Sequence, residues 1–234
     1  MFPATIFDFN GVLVDDELVH RDAFRDVLGP LGVSFTDDAY VERYLGFDDT
    51  GAFRAMLTDA GRTPSDREIE DLARAKRPFY MRRAEASLVI FDGAERIVRA
   101  FAERGPVAIV SGALRDEIDF GLRRMNLVGV FGDIVSAEDT SRGKPDPMGY
   151  EICIEALAAR IGSAAARRAL VVEDSLAGVE AAKSAGLACL AVAHSYPQAQ
   201  LENAGADAVA PRIGAIDDDL VRALYQRLES RDHA

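Results

Sequence analysis

The chain begins with MFPATIFDFNGVLVDDE, residues 1–17, and its first apolar run, Thr5-Ile6-Phe7, stops at an acid, Asp8. A short apolar run that ends in a charged residue is typical of a strand buried on both faces that leads into a loop. An unpaired carboxylate at this place is costly to desolvate. The stretch Asp8-Phe9-Asn10-Gly11 therefore predicts the first strand of an α/β sheet with a polar site at its carboxyl end.

Further apolar runs of the same length follow along the chain, and helical patterns separate them. This alternation predicts a doubly wound parallel, Rossmann-like α/β sheet. The strong runs lie at 107–110, 169–172 and 187–192, weaker runs at 133–136 and 206–209 predict strands near the sheet edges, and helices are predicted at 94–104 and 175–185.

The segment from about residue 18 to residue 87 has helical periodicity and no buried-strand runs. One apolar stripe comprises Phe24, Val27, Leu28 and Leu31, at spacings that one helix face repeats. A second long helix is predicted over about 65–85, where Pro78 should kink or split it. We therefore predict an α/β core of residues 1–15 and 88–234 with an inserted all-helical cap domain of residues 16–87.

Charge and composition exclude several classes of function. The formal net charge of −12 is unfavourable for binding nucleic acid, whose phosphates require a basic surface. No apolar run approaches the roughly 20 residues of a membrane span. Cys153 and Cys189 fall in apolar segments and are expected to be core residues. With no leader pattern at the start, the sequence predicts a cytoplasmic protein. We also expect a monomer or weak dimer.

Several chemically capable residues follow the predicted strands. Ligands of open α/β sheets bind at the carboxyl ends of the strands, so these residues should meet at one edge. Crowded carboxylates require a cation, and oxygen ligands favour Mg²⁺. A hydroxyl, backbone N–H groups and a lysine could hold phosphate oxygens, and an aspartate beside them could be the nucleophile. The residues are Asp8, Ser111, Gly112, Lys144, Glu173 and Asp174.

Four motifs in this order resemble the haloacid dehalogenase superfamily, most closely the branch of β-phosphoglucomutase and small-sugar phosphatases. The motifs are Asp8-Phe9-Asn10-Gly11-Val12-Leu13-Val14-Asp15-Asp16-Glu17, Val110-Ser111-Gly112, Lys144-Pro145-Asp146-Pro147 and Glu173-Asp174-Ser175. The resemblance covers nearly the whole chain.

The resemblance implies a role for each motif. Asp8 would be the nucleophile and a Mg²⁺ ligand, together with the backbone carbonyl of Asn10, the side chain of Asp174 and the neighbouring Glu173. Ser111 and Lys144 would hold the transferring phosphoryl group. The helical segment would be a cap over the substrate.

Asn10 departs from the family pattern, in which this position is typically an aspartate that serves as general acid and base. An amide cannot transfer the proton, although its backbone carbonyl could still bind the metal. Asn10 could be an engineered change, or a natural one in an enzyme whose leaving group needs little protonation. Alternatively, a nearby group could have taken over the role. The candidates are Asp15, Asp16, Glu17 and His20.

Substrate contacts are expected in the cap and near the second motif. The candidates are His20, Gly46, Lys76 with Tyr80, and Arg115. In the mutase an arginine of the Gly46 loop reads a second phosphate; here Asp48 and Asp49 would repel one, which favours a monophosphate. The predicted function is a Mg²⁺-dependent phosphatase of a small phosphorylated metabolite. The alternatives are a phosphosugar mutase and a catalytically impaired phosphoryl-binding protein.

Overall fold

The structure, a computed structural model, describes residues 1–232. The chain divides into two compact units. The first comprises Met1–Asp15 and the chain from Ile90 onward, and the second comprises Asp16–Val89.

The first unit is built on a sheet of six parallel strands. The strands are β1 (Thr5–Phe7), β4 (Val107–Val110), β5 (Asp133–Val135), β6 (Leu170–Glu173), β7 (Ala188–Val192) and β8 (Ala208–Ala210). Their order in the sheet is β5-β4-β1-β6-β7-β8, and every pair is parallel. Two short strands, β2 (Val14–Asp15) and β3 (Val89–Ile90), form a separate ladder. The predicted sheet and both predicted edge strands are confirmed.

Helices pack on the two faces of the six-stranded sheet. They are α5 (Ala94–Ala102), α6 (Arg115–Arg124), α7 (Met148–Ile161), α8 (Ser163–Ala166), α9 (Leu176–Ser184), α10 (Gln198–Asn203) and α11 (Asp218–Asp232). On one face Ile6 of β1 joins a core with residues of α7 and α9. Its neighbour Phe7 points to the other face and packs edge-to-face on Phe101 of α5. Because successive side chains of a strand alternate between faces, both faces of β1 are buried, as its continuous apolar run predicts.

Both cysteines, Cys153 and Cys189, are buried in this unit and free. They lie in the same cluster of core residues. The prediction that they are small core residues is confirmed.

The second unit consists of four helices with their own apolar core. They are α1 (Glu17–Leu28), α2 (Asp37–Arg43), α3 (Asp49–Asp59) and α4 (Asp66–Ser87). Side-chain caps begin three of them: Thr36 accepts from Ala39 N, Asp48 from Gly51 N and Ser65 from Glu68 N. Each cap satisfies a backbone N–H that the helix itself leaves unbonded.

Helix α4 continues through Pro78 as one helix of 22 residues, so of the two expected effects of Pro78, a kink or a split, the split does not occur. The expectation that Leu31 continues the apolar stripe of α1 was wrong. Leu31 is 43% exposed and does not extend the buried stripe of Phe24, Val27 and Leu28. The reason is that α1 ends at Leu28, where Gly29-Pro30 starts a short 3₁₀ turn and removes the helical register.

In residues 1–232 no helix is both long and apolar enough to cross a membrane.

Candidate active site

Asp8 lies where the sequence predicts it, directly after β1 at the carboxyl edge of the sheet. Its backbone N–H donates to the Val172 carbonyl on neighbouring strand β6 at 2.9 Å. The side chain is buried, and its Oδ1 lies 2.9 Å from Nζ of Lys144. Burial raises the pKa of Asp8 to about 6, even though the positive charge of Lys144 opposes that shift.

Lys144 reaches the strand ends from the loop before α7. Its Nζ donates to Oε1 of Glu173 at 2.6 Å and to the Val110 carbonyl at 3.1 Å. Burial lowers the pKa of Lys144, but the charges of Asp8 and Glu173 outweigh burial, so the pKa lies above its ordinary value. The ammonium is therefore held in its charged form beside Asp8.

Glu173 ends β6 and is fully buried. Besides Lys144, its Oε1 accepts from the Tyr150 hydroxyl at 2.9 Å. Its Oε2 accepts from the backbone N–H groups of Asp174 and Ser175 and from the Ser175 hydroxyl, at 3.0, 3.2 and 3.2 Å. Both oxygens are thus already engaged, which suits a residue that positions Lys144 better than a direct metal ligand.

Asp174 follows Glu173 and approaches the turn after Asp8. Its carboxylate accepts a hydrogen bond from the Ser195 hydroxyl. Burial raises the pKa of Asp174 well above its usual range, and the charges of Glu173 and Asp8 add to the effect. Gly11, at φ +70°, lies so close that a Cβ on it would overlap the Asp174 carboxylate. The position requires glycine both for its backbone angle and for this contact.

Asn10 and Ser111 meet at the same edge. The Ser111 hydroxyl donates to the amide oxygen of Asn10 at 3.1 Å and accepts from Ala113 N–H at 3.2 Å. Ser111 is buried immediately after β4. The two motifs, about a hundred residues apart in sequence, are therefore joined directly.

The acids at this edge fit a divalent cation. One carboxylate oxygen from each of Asp8, Glu173 and Asp174 lies within 4.8 Å of the others, and all three side chains are buried. Lys144 pairs with Asp8 and Glu173. Burial is the main reason that the pKa values of Asp8 and Asp174 are raised, and the charge of Glu173 adds to it at both. Hard oxygen donors with surplus negative charge suit Mg²⁺.

Arg115 lies outside this group of contacts. Its guanidinium pairs with Asp119 one turn further along α6 at 3.5 Å, and half of the side chain is exposed. Its backbone N–H donates to Glu138 at 2.7 Å. These contacts favour a role at the start of α6.

The helical unit has a buried polar cluster of its own. Lys76 of α4 is fully buried, pairs with Asp49 and lies 2.6 Å from Nδ1 of His20. Asp16 accepts from the Tyr80 hydroxyl at 2.6 Å and lies 3.1 Å from Nε2 of His20. Lys76 is therefore not the solvated helix residue that its sequence position allows.

The other residues of the helical unit that the sequence links to substrate have local roles there. Gly46 is exposed and has a left-handed backbone, φ +83°. Asp48 caps α3, and the charge of Asp49 is compensated by Lys76. We expect Asp48 and Asp49 to repel a second phosphate. Because Lys76 compensates its charge, Asp49 should do so less than a free carboxylate would.

Sequence reasoning missed three residues that contact the site. Tyr150 supports Glu173, Ser195 donates to Asp174, and His194 lies 2.7 Å from the Gly11 carbonyl. His194 and Ser195 follow β7 closely, so the strand-end rule that found Asp8 would have found them too. Tyr150 lies on a helix, where nothing in the local pattern marks it.

This arrangement defines a class of enzyme built on a Rossmann-like sheet with acids and a lysine at its strand ends. Residues 5–192 match the family model of the haloacid dehalogenase-like hydrolases, and the chain belongs to this family. The family resemblance predicted from the four motifs is thereby confirmed, and with it the predicted class of hydrolase.

Relatives and solved structures agree with the family. The chain is 28% identical to validoxylamine A 7'-phosphate phosphatase of Streptomyces hygroscopicus subsp. limoneus, over 87% of this chain and 92% of that protein. It is 30% identical to a phosphorylated carbohydrates phosphatase of Thermotoga maritima, over 79% and 82%. The fold matches β-phosphoglucomutase of Clostridium difficile with a TM-score of 0.83, at 18% identity over 98% and 100% of the two chains.

Proposed function

We propose that this protein is a Mg²⁺-dependent phosphatase that hydrolyses a small, sugar-like phosphorylated metabolite through an aspartyl-phosphate on Asp8. The observation that carries the proposal is the cluster of Asp8, Lys144 and Asp174 at the carboxyl ends of adjacent parallel strands. The phosphatase names of two relatives support a phosphorylated carbohydrate as the substrate class.

The first step of the proposed reaction forms a bond between a carboxylate oxygen of Asp8 and phosphorus and breaks the bond from phosphorus to the leaving oxygen. Lys144, held by Glu173 and the Val110 carbonyl, stabilises negative charge on the phosphoryl oxygens. The Ser111 hydroxyl and the N–H groups after it, including that of Gly112, supply hydrogen bonds to the same oxygens.

The second step regenerates the free enzyme. Water attacks phosphorus, the bond from phosphorus to Asp8 breaks, and inorganic phosphate leaves. A Mg²⁺ ion held by Asp8, Asp174 and the Asn10 carbonyl would supply positive charge against the nucleophile and the phosphoryl group. Glu173 acts by positioning Lys144.

Asn10 sets the expected rate. Its amide oxygen accepts from Ser111, and the amide group cannot give a proton to the leaving oxygen. General acid–base catalysis contributes about 10²–10⁴-fold in enzymes that have it. We therefore propose slow turnover of ordinary phosphate esters and faster turnover of phosphates with good leaving groups, such as acyl phosphates.

Two alternatives remain proposals. A phosphoryl-binding protein with little turnover is favoured by Asn10 itself, since the metal ligands are kept and the proton donor is lost. A phosphosugar mutase is the other. The contacts of His20, Gly46, Lys76 and Arg115 with substrate also remain predictions, and the bonding of Lys76 within its own unit favours a structural role.

The experiment is a phosphate-release assay on a panel of sugar phosphates and acyl phosphates, with Mg²⁺ or with EDTA. The phosphatase proposal expects free phosphate only with Mg²⁺. Isomerised phosphosugar without free phosphate would show that the protein is a mutase and not a phosphatase. Phosphate release undiminished in EDTA would overturn the Mg²⁺-dependent site.

A further inference from the structure

The loop after β7 contacts the first motif through His194. Nδ1 of the imidazole lies 2.7 Å from the carbonyl oxygen of Gly11. The backbone N–H of Ile213 donates to Nε2 at 3.1 Å. One face of the ring stacks on Phe91, with a centroid distance of 3.9 Å and an angle of 22° between the planes. Both nitrogens and one ring face are therefore engaged.

These contacts determine the tautomer of His194. A backbone N–H can only donate, so Nε2 must be the unprotonated acceptor, and the ring proton lies on Nδ1 and points to the Gly11 carbonyl. Only the neutral imidazole satisfies both partners. Burial lowers the pKa of His194, which agrees with a neutral ring.

The Gly11 carbonyl belongs to the turn that lies against Asp174. Gly11 has a left-handed backbone, and its Cα lies against the Asp174 carboxylate. The turn follows Asp8 in the chain and lies against Asp174, so its position bears on both acids. An external hydrogen bond to Gly11 would restrain the turn in this place.

We infer that His194 is a positioning residue of the proposed phosphatase site: its Nδ1–H holds the Gly11 carbonyl and so fixes the Asn10–Gly11 turn against Asp174. The inference rests on the proposed function, since it assigns His194 to the support of the proposed Mg²⁺ ligands. The neighbouring Ser195 donates to Asp174, so a second residue of the same loop contacts the acid that the turn meets. Groups that orient metal ligands typically change metal affinity by about 10–100-fold when removed.

The experiment measures Mg²⁺ affinity by isothermal titration calorimetry in four variants. His194→Asn keeps a donor at the position of Nδ1, whereas His194→Gln keeps an acceptor for Ile213 and loses the donor to Gly11. His194→Phe keeps the ring stack alone. Phe91→Leu removes the stack and leaves both hydrogen bonds of His194.

We expect His194→Gln and His194→Phe to weaken Mg²⁺ binding about tenfold. His194→Asn and Phe91→Leu should bind Mg²⁺ within about twofold of the wild type, whatever their loss of thermal stability. If Mg²⁺ affinity instead follows the melting temperature, with His194→Asn as impaired as His194→Gln, His194 has a structural role only and the inference is wrong.

A measurement on the unaltered protein completes the test. Nitrogen-15 NMR of the histidine rings should show His194 as the neutral Nδ1–H tautomer, and an Nε2–H tautomer would contradict the inference without any variant having to fold. If the wild type binds no Mg²⁺, the proposed function fails first. If it binds Mg²⁺ and His194→Gln binds equally well, only the positioning role fails.

Discussion

Each of the two units buries a cluster of charged side chains, and the two clusters differ in how their carboxylates are arranged. In the α/β unit, oxygens of three carboxylates, those of Asp8, Glu173 and Asp174, lie within 4.8 Å of one another, and Lys144 pairs with the first two. In the helical unit, Lys76 pairs with Asp49, and Asp16 accepts from Tyr80. The first cluster gathers its carboxylates at one point. In the second each carboxylate has its own partner, since Asp16 also lies 3.1 Å from Nε2 of His20.

The difference indicates two purposes. Buried charges are costly unless they are paired, so a cluster whose charges each have a partner satisfies itself and orders the fold around it. A cluster of converging carboxylates is tolerated where function requires it and is stabilised by a ligand of opposite charge. We therefore expect changes in the α/β cluster to alter chemistry and changes in the helical cluster to alter stability.

The largest effect should come from the nucleophile. Asp8→Asn removes the carboxylate that forms the covalent intermediate, and we expect phosphate release to fall by at least about 10⁴-fold. Asp119→Asn, an exposed change in the same unit, is the matched control and should retain full activity. Substantial turnover by Asp8→Asn would eliminate the covalent mechanism.

Asn10→Asp should raise activity, the opposite of the effect of Asp8→Asn. The new carboxyl group can protonate the leaving oxygen, so we expect kcat on phosphate esters to rise by about 10²–10⁴-fold. The increase should be much smaller for acyl phosphates, whose leaving groups need little protonation. An unchanged rate on esters would show that position 10 has no part in proton transfer in this protein.

Asp49→Ala tests the paired cluster of the helical unit. Lys76 is fully buried, so its charge would lose its carboxylate partner, and we expect the free energy of unfolding in urea to fall by about 3–5 kcal/mol. Lys76→Met should cost less, because methionine can pack on Phe24, which the Lys76 ammonium now faces at 4.2 Å. Combining Lys76→Met with Asp49→Ala should restore most of the loss. A double variant as unstable as Asp49→Ala would contradict the charge-pair account.

The smallest effect concerns stability without metal. Because the folded-state pKa of Asp8, about 6, exceeds its ordinary value of 3.8, the folded protein binds the proton more tightly than the unfolded chain. Stability of the metal-free protein should then fall as pH rises from about 4 to about 6. Asp8→Asn removes this penalty, so at about pH 8 it should be more stable than the wild type by about 1–3 kcal/mol.

Denaturant unfolding in EDTA at about pH 4 and at about pH 8 checks the prediction. The advantage of Asp8→Asn should vanish at about pH 4, where the wild-type carboxyl is protonated. Asp119→Asn again serves as the control. A variant that is less stable than the wild type at about pH 8 would show that the pairing of Asp8 with Lys144 outweighs burial.

The acids and the serine of the α/β site could be predicted from sequence because each adjoins a strand that its own apolar run marks. Asp8, Ser111 and Asp174 follow β1, β4 and β6, and parallel strands bring their carboxyl ends together. His194 was accessible to the same reasoning and was overlooked because a single histidine after a strand has no motif around it.

The helical cluster could not be predicted in this way. Lys76 meets Asp49 and His20, which are 27 and 56 residues away in sequence, and no periodicity links them. A lysine in a charged helix ordinarily indicates a solvated face, and only the packing of four helices determines that this one is buried. Leu31 shows the converse, since a local Gly29-Pro30 break overrides an apolar spacing.

The central claim is that Asp8 forms a covalent phosphoryl intermediate in a cluster that needs a cation. The most direct test is the intact mass of the protein after brief incubation with acetyl phosphate and Mg²⁺, followed by acid quenching and peptide mapping. We predict one added phosphoryl group on Asp8, absent in EDTA and absent in Asp8→Asn. Phosphate release with no label on Asp8, or a label that persists in Asp8→Asn, would contradict the account.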